Sequence, residues 1–437
     1  MLGLVAIATG ESAATELWSQ GDTSLEFSGS LRQIVLYSQQ TDGDDFEAAF
    51  CRPASEIADC AAWDALGDTD VGQALTRLRL RLDLQATSWL SAVVAYDSQV
   101  FYGTIDTLEA ALGARESDTF FGAEGEIASS QHARWTHRLY RGYAQAEGRL
   151  GLARIGRQKI SWGVGNLWNP IDRFDPNPPL AIQGDENAGI DAALLRWSWS
   201  DFNFVEAVYA PGASSQDSRY AAHAHVLVHD VDFSLMGGVY QQAPTVGFDV
   251  ASNLGGAAIY FEAVWADPRQ QVRKIGDSTA APPDDFWQVV GGIHNLFDVG
   301  TGLYVLLEHL YNGNALGFGS GKAGTYLNFF EERDAPSPFP PVAVPASNAI
   351  AGSSGVVTFS QNQTGLMLGY DLTPEVRADL VALYDWNGRS AAFFPTLSYA
   401  ALDWLELRLG AQFFAGPRLS QYGASEHRVY LFADFYF

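Results

Sequence analysis

Residues 405–415 read LELRLGAQFFA and residues 74–86 read ALTRLRLRLDLQA. In the first stretch Leu405, Leu407, Leu409, Ala411 and Phe413 alternate with Glu406, Arg408, Gly410 and Gln412. In the second, Leu78, Leu80, Leu82 and Leu84 alternate with Arg77, Arg79, Arg81 and Asp83. A period of two is the side-chain period of a β-strand, so each stretch has one aliphatic face and one polar or charged face. A soluble β-sandwich alternates in the same way. A transmembrane barrel is set apart by repetition of the pattern along the whole chain, in segments of about ten residues joined by turns.

Working outward, the pattern places strands near 24–38, 73–86, 88–100, 134–148, 150–162, 189–200, 202–211, 220–230, 231–243, 246–253, 256–267, 285–297, 301–313, 360–371, 376–387, 392–402, 405–415 and 427–437. These make about eighteen, an even number as in bacterial barrels. The long links 39–72, 101–133, 163–188, 268–284 and 314–359 all follow odd-numbered strands, whereas even-numbered strands end in brief turns such as Asp403-Trp404. Long connections therefore gather on one rim and short ones on the other. The expected fold is an all-β, antiparallel transmembrane β-barrel with long extracellular loops, short periplasmic turns and both chain ends on the periplasmic side.

Composition agrees with this. The 437 residues carry a formal charge of −25, which excludes nucleic acid as a partner because phosphate binding needs a basic face. Only 18% are charged against 47% hydrophobic, below the roughly 25% charged residues of a soluble domain. No stretch approaches the roughly 20 apolar residues of a spanning helix. Much of the acid lies in the long links, as with Asp42, Asp44, Asp45 and Glu47. Trp89, Tyr96, Trp197, Trp199, Tyr209 and Trp265 fall near strand ends, where amphipathic rings sit at headgroup level. The Pro-rich stretch 335–347 cannot pair within a sheet and belongs to a semi-rigid loop.

Residues 1–14 (MLGLVAIATGESAA) have a short apolar run and a small-x-small ending but no basic start, and read as a truncated export signal or, alternatively, a disordered terminus. Residues 15–437 then form one barrel. Cys51 and Cys60 are the only cysteines, and their spacing suits a small disulfide loop in an oxidising compartment. Neither a zinc set nor a haem attachment motif accompanies them, so no cofactor is expected.

The last strand, EHRVYLFADFYF, places Val429, Leu431, Ala433, Phe435 and Phe437 on one face and stops at an aromatic residue. It resembles the C-terminal signature of Gram-negative outer-membrane barrels, which implies recognition of the Phe437 strand by the barrel assembly machinery. Further on the chain resembles porin-like outer-membrane proteins, through Gly156-Arg157-Gln158, Ser161-Trp162-Gly163, Asn169-Pro170 with Asp172 and Phe174, and Tyr370-Asp371-Leu372-Thr373-Pro374. The Gly156-Arg157-Gln158 element is also similar to the alginate-export family, eighteen-stranded barrels with Arg-lined pores. These resemblances imply an outer-membrane location, contact with membrane lipid and lipopolysaccharide, passage of small solutes, and a homo-oligomer as the candidate assembly.

A Lys or Arg facing lipid at the midplane costs about 2–4 kcal/mol, so Arg77, Arg79 and Arg81 are expected to point inward, roughly 7 Å apart along the strand. Such a ladder could hand an anion from site to site, or could be neutralised by inward carboxylates such as Asp83, Glu147, Glu262, Glu308, Glu406 and Asp434. Arg141, Arg154, Arg196, Arg377, Arg408 and Arg428 extend the candidate pore lining. Arg157 and Lys159 have the opposite parity to Arg154, and a bulge at Gly156 would turn them inward. The following segment, with Asn169, Pro170, Asp172 and Asp175, is stiff enough to fold into the pore as a constriction loop, the alternative being an external cap. His223, His225 and His229 share parity and read as a metal or proton site or as plain lumenal lining. No metal site and no catalytic constellation emerge.

The expectation is a non-enzymatic channel for passive or weakly selective diffusion of small hydrophilic solutes, biased towards anions. A selective transporter of an acidic polysaccharide or organic acid is the alternative within transport. A scaffold barrel for a periplasmic or surface partner such as a cytochrome is the alternative outside it.

Overall fold

The computed structural model describes residues 14–38, 71–103, 120–130, 132–175, 181–182, 189–269, 273–275, 278–280, 285–315, 356, 358, 360–417, 420–423, 425 and 427–437. Residues 1–13 of the expected export signal, Cys51, Cys60 and the Pro-rich stretch 335–347 lie outside the described residues.

In chain order the strands are β1 (Thr15–Gln20), β2 (Thr23–Ser38), β3 (Val71–Thr87), β4 (Leu90–Tyr102), β5 (Glu124–Ser129), β6 (Ala133–Gly148), β7 (Gly151–Gln158), β8 (Ile190–Ser198), β9 (Phe204–Ala210), β10 (Arg219–Val228) and β11 (Val231–Tyr240). They continue as β12 (Ala243–Leu254), β13 (Ala257–Ala266), β14 (Arg273–Ile275), β15 (Ser278–Ala280), β16 (Phe286–Phe297), β17 (Leu303–Asn312), β18 (Asn362–Thr373), β19 (Val376–Asp385), β20 (Ser390–Leu402), β21 (Leu405–Ala415) and β22 (Arg428–Tyr436). Eighteen of them form a closed antiparallel ring: β2–β4, β6–β13 and β16–β22 pair in succession, and β22 returns to β2 with Phe432 opposite Ile34. Closure is what lipid demands, since it leaves no edge of unpaired amides and carbonyls in the hydrocarbon. Each of the eighteen strands read from the sequence coincides with one strand of this ring.

The other four described strands are additions. β1 continues the line of β22 beside the lower end of β2, and β5 pairs with the upper half of β6 beyond the point where β7 stops. β14 and β15 form a small hairpin of their own. β7 is shorter than the 150–162 expected from the sequence. It ends at Gln158, because the backbone then leaves the wall and enters the lumen.

The alternation works as expected. Leu78, Leu80, Leu82 and Leu84 are each 36–42% exposed on the outer surface, whereas Arg77, next to Leu78 and on the other face, is 1% exposed. Aromatic residues ring the outside at both ends: Trp89, Trp197, Trp199 and Trp404 near the short turns, and Tyr102, Tyr209, Tyr220 and Trp287 near the other rim. Tyr96, expected near a strand end, sits at the middle of β4 with its hydroxyl on His137 Nδ1. Several short turns are two residues long with positive φ at both positions, as at His229-Asp230 (48° and 65°) and Gly255-Gly256 (59° and 95°). That geometry matches the right-handed twist of the strands it joins. The closed ring and its apolar outer belt are those of a bacterial outer-membrane barrel, and place the chain in that membrane.

Candidate functional site

Inside the ring the arginines are concentrated on one arc, where carboxylates such as Asp97, Glu406 and Asp434 accompany them. These arginines are Arg32 on β2, Arg77, Arg79 and Arg81 on β3, Arg138 and Arg141 on β6, Arg154 on β7, Arg408 on β21 and Arg428 on β22. On the arc formed by β9 to β17 the buried acids are Glu206, Asp249, Glu262 and Glu308.

The acidic arc binds the chain's own backbone. After Gln158 the connection to β8 turns inward, and its amides meet the wall carboxylates in order. Val164 and Gly165 N–H donate to Glu262 Oε2 at 2.9 and 3.0 Å. Asn166 N–H donates to Glu308 Oε2 at 2.8 Å, and Leu167 and Trp168 N–H donate to Glu308 Oε1 at 3.0 and 2.7 Å. Upstream, the Trp162 indole donates to Glu206 Oε2 at 2.8 Å, and its ring stacks on His223. Gly163, at φ +91°, is the hinge of this entry. A Cβ there would stand 2.3 Å from Asn169 Oδ1 and 2.9 Å from Glu262 Oε2.

β17 lies eight strands from β7 around the ring of eighteen, so the connection crosses the lumen. Apolar packing holds it there. Ile160, Trp162, Ile171 and Phe174 pack on the inner faces of β8 to β13, against Val208, Met236, Tyr240 and Val264. Trp168, 1% exposed, packs with Tyr260, Val290, Leu310 and Leu383. Ile182, farther along, reaches Ile34, Leu75 and Phe101 on the basic side. Two other segments fold in as well. Val356 O accepts from Gln288 Nε2 at 2.6 Å, and the Tyr422 hydroxyl donates to Gln363 Oε1.

Asn169, Pro170, Asp172 and Asp175, expected from the sequence to form a constriction loop, lie in this crossing. Asn169 Nδ2 donates to Trp162 O at 2.8 Å, and Asn169 Oδ1 accepts from Asp172 N–H at 2.9 Å, closing a tight turn around the buried Pro170. Asp172 accepts from Ser161 Oγ at 2.7 Å, and Asp175 Oδ2 accepts from Gly189 N–H at 3.1 Å. Burial pushes the Asp172 carboxyl up to about 7, against the opposing Ser161 hydrogen bond and with help from the neighbouring Asp175 charge. A carboxyl raised in the folded state contributes stability that is complete below the ordinary carboxylate range and is lost as pH rises towards 7. We therefore expect thermal stability to fall between about pH 4 and about pH 7, with a slope of up to about 1.4 kcal/mol per pH unit from this one proton. In Asp172→Asn that component should disappear; identical pH profiles for the two proteins would refute the assignment.

Most of the expected arginines face inward, each with a particular neighbour. Arg79 makes a two-pronged ion pair with Asp97 at 2.6 and 2.7 Å, which Arg138 shares at 3.2 Å. Arg81 pairs with Asp83 at 2.6 Å, Arg196 with Glu206 at 2.7 Å, and Arg408 with Glu406 at 3.2 Å. Arg377 reaches both Asp371 and Asp379 at 3.0 Å. Arg428 donates to Gln412 at 3.2 Å. Arg154 is held by a neutral amide, Gln145 Oε1, which accepts from Nε at 2.7 Å. Tyr140 lies beneath the guanidiniums of Arg79 and Arg141, 3.4 and 4.0 Å from its ring centroid.

Arg157 does not line the lumen. The register of β7 with both neighbours runs unbroken through Gly156, so Arg157 keeps the outward side of Ile155, which is 66% exposed. It is buried there by pairing with Asp191 at 3.0 Å and donating to Leu139 O and Phe121 O. The bulge occurs in the next strand instead, where β6 slips by one residue at Tyr140 and turns Tyr140 and Arg141 inward together. Lys159 is exposed just past the end of β7, within electrostatic reach of Asp172. His223 is buried on Trp162, His225 meets Asp232 at 3.1 Å, and His229 belongs to a turn. No metal-binding group of three or more ligands occurs among the described residues.

Sequence reading overlooked Arg32, Asp97, Arg138 and Glu206. Each is a charged residue on the inward parity of its strand, which is the signal that would have found them.

No family model matches the chain. No curated protein matches it either. Solved structures do. OccAB1 of Acinetobacter baumannii aligns over 98% of this chain and 99% of its own with a TM-score of 0.50 and 10% identity. OccK8 (OprE) of Pseudomonas aeruginosa aligns over 94% and 98% with a TM-score of 0.49 and 8% identity. OmpF of Salmonella typhi, in its complex with daunomycin, aligns over 97% and 100% with a TM-score of 0.45 and 9% identity. With its closed ring of eighteen strands, its apolar belt and its lumen crossed by a loop, the chain has the fold of a porin-like outer-membrane β-barrel.

Proposed function

We propose that the barrel is a channel for small hydrophilic solutes, passive or weakly selective, with a preference for anions. The observation that carries this is the concentration of arginines on one arc, in excess of the carboxylates Asp83, Asp97, Glu406 and Asp434 that pair with some of them. Three of the four acids of the β9–β17 arc are engaged by other groups: Glu262 and Glu308 by backbone amides of the crossing loop, and Glu206 by the Trp162 indole and Arg196. On the opposite arc the ladder opens towards the short-turn rim: Arg77 is 1% exposed, and the Arg79 and Arg81 side chains are 15% and 45% exposed. Arg154, with an amide for its partner, adds charge to the same wall. Fixed cations in a narrow wet space raise the local concentration of anions. Lipid, lipopolysaccharide and the barrel assembly machinery at the Phe437 strand are the partners that fit such a barrel.

The test is single-channel recording in planar bilayers with a salt gradient across the membrane. The wild type should give steady open steps with a reversal potential on the anion-selective side. Replacing Arg77, Arg79 and Arg81 together by Gln should carry the reversal potential towards cations and lower the conductance. A reversal potential unmoved by the triple substitution would overturn the assignment of this ladder, and absence of any conductance would overturn the channel itself.

A further inference from the structure

Arg173 sits within the crossing loop and is 4% exposed. Its Nη2 donates to the neutral amide oxygen of Gln288 at 3.3 Å, and its guanidinium carbon lies 6.0 Å from the Phe286 ring centroid. Nε and Nη1 are buried and meet no acceptor. The adjacent carboxylate of Asp172 is turned to Ser161 Oγ and to the Asp175 amide. The ionisable group that acts on Arg173 is the buried phenol of Tyr240. Arg219, which donates to Phe174 O at 3.1 Å, lies within reach of the same phenol.

Burial lowers the guanidinium to about 10, which leaves it charged at neutral pH. A cation enclosed without an opposite charge is among the costliest arrangements in a folded protein. Two other deeply buried arginines obey that rule, since Arg32 is met by Asp434 and Arg157 by Asp191. Among the described residues around Arg173 are an amide, a phenol, a second guanidinium and aromatic rings, a set of groups that offers positive charge and hydrogen-bond donors to a guest but no compensating carboxylate.

We infer that Arg173 holds a small monovalent anion of halide size inside the crossing loop. Single charge matches the single uncompensated guanidinium. Small size follows from the packing of Phe174 against Tyr240, with centroids 5.0 Å apart, beside Phe286. A halide seated there joins the loop to the wall, because Arg173 belongs to the loop while Gln288 and Tyr240 belong to β16 and β11. The inference is independent of the anion preference of the passage, which rests on the opposite arc.

Two measurements test it on the full chain. Crystals grown or soaked in sodium bromide should show an anomalous bromide peak within hydrogen-bond distance of the Arg173 guanidinium. The melting temperature of the detergent-solubilised barrel should rise with chloride and saturate, relative to sodium gluconate at equal ionic strength. Arg173→Met should remove that dependence and should melt above the wild type in gluconate. A wild-type bromide map without a peak at Arg173 overturns the site whether or not the variant folds. So does an equal chloride dependence in wild type and Arg173→Met.

Discussion

Glu308→Ala is expected to raise single-channel conductance severalfold and to make the open level noisy. The carboxylate of Glu308 accepts from three successive backbone amides, those of Asn166, Leu167 and Trp168, and from the Tyr260 hydroxyl. A hydrogen bond to a charged group contributes about 1.5–3 kcal/mol, and a buried donor left without an acceptor costs about 1–3 kcal/mol. Truncation at Glu308 removes the one acceptor that satisfies the tip of the loop, so the loop gains by leaving the wall for water. Glu262, which holds Val164 and Gly165, keeps the stem in place, and Glu262→Ala with Glu308→Ala should exceed either single change. Glu308→Gln retains acceptor capacity in one oxygen and should lie between. Planar-bilayer recording and thermal melting together decide the matter. If Glu308→Ala conducts like the wild type and melts at the same temperature, the carboxylate is not what keeps the loop across the lumen.

The eighteen strands are legible in the chain because lipid imposes a rule on every one of them. A residue such as Leu80 or Leu409 must face hydrocarbon, its neighbours Arg79 and Arg408 must not, and the rule is local enough to be read residue by residue. The lumen obeys no such rule. Glu262 and Glu308 look, from the sequence, like counter-charges for the arginine ladder. Their actual partners are amides about one hundred and about one hundred and forty residues away in the chain, brought to them by ring closure.

Local parity also fails where a strand ends. Arg157 and Lys159 read as inward only if Gly156 were a bulge, whereas the register slips at Tyr140, which no glycine marks. β7 stops four residues before the end of its alternating pattern because Ile160 and Trp162 have an apolar wall to pack on inside the barrel as well as lipid outside it. An alternating stretch records that one face is apolar, but not which apolar surroundings receive it. That is also why the Asn169 to Asp175 turn could be recognised as stiff without revealing that it crosses to the opposite wall.

Removal of residues 428–437 is expected to abolish the barrel. β22 is the strand that converts a sheet into a ring: it pairs with β2 over nine register positions and with β21 over eight. Without it both flanking strands face lipid with unpaired amides and carbonyls, each costing several kcal/mol. Shortening by one residue is milder but informative. Phe437 exchanges two backbone hydrogen bonds with Gly29, at 2.8 and 3.0 Å, and its ring covers the space where a Gly29 side chain would stand, with Cε2 only 2.4 Å from an ideal Cβ. Phe437→Ala should keep the pairing and lose the ring, whereas Gly29→Val should displace the ring and strain the closing pair. The heat-dependent shift of a folded barrel on an SDS gel measures all three. We expect no shift for the deletion, a shift at lower temperature for Gly29→Val than for the wild type, and a smaller decrease for Phe437→Ala. A normal shift in the deletion variant would mean that β2 and β21 can close the ring directly, and that the last strand is an addition to the barrel rather than its lock.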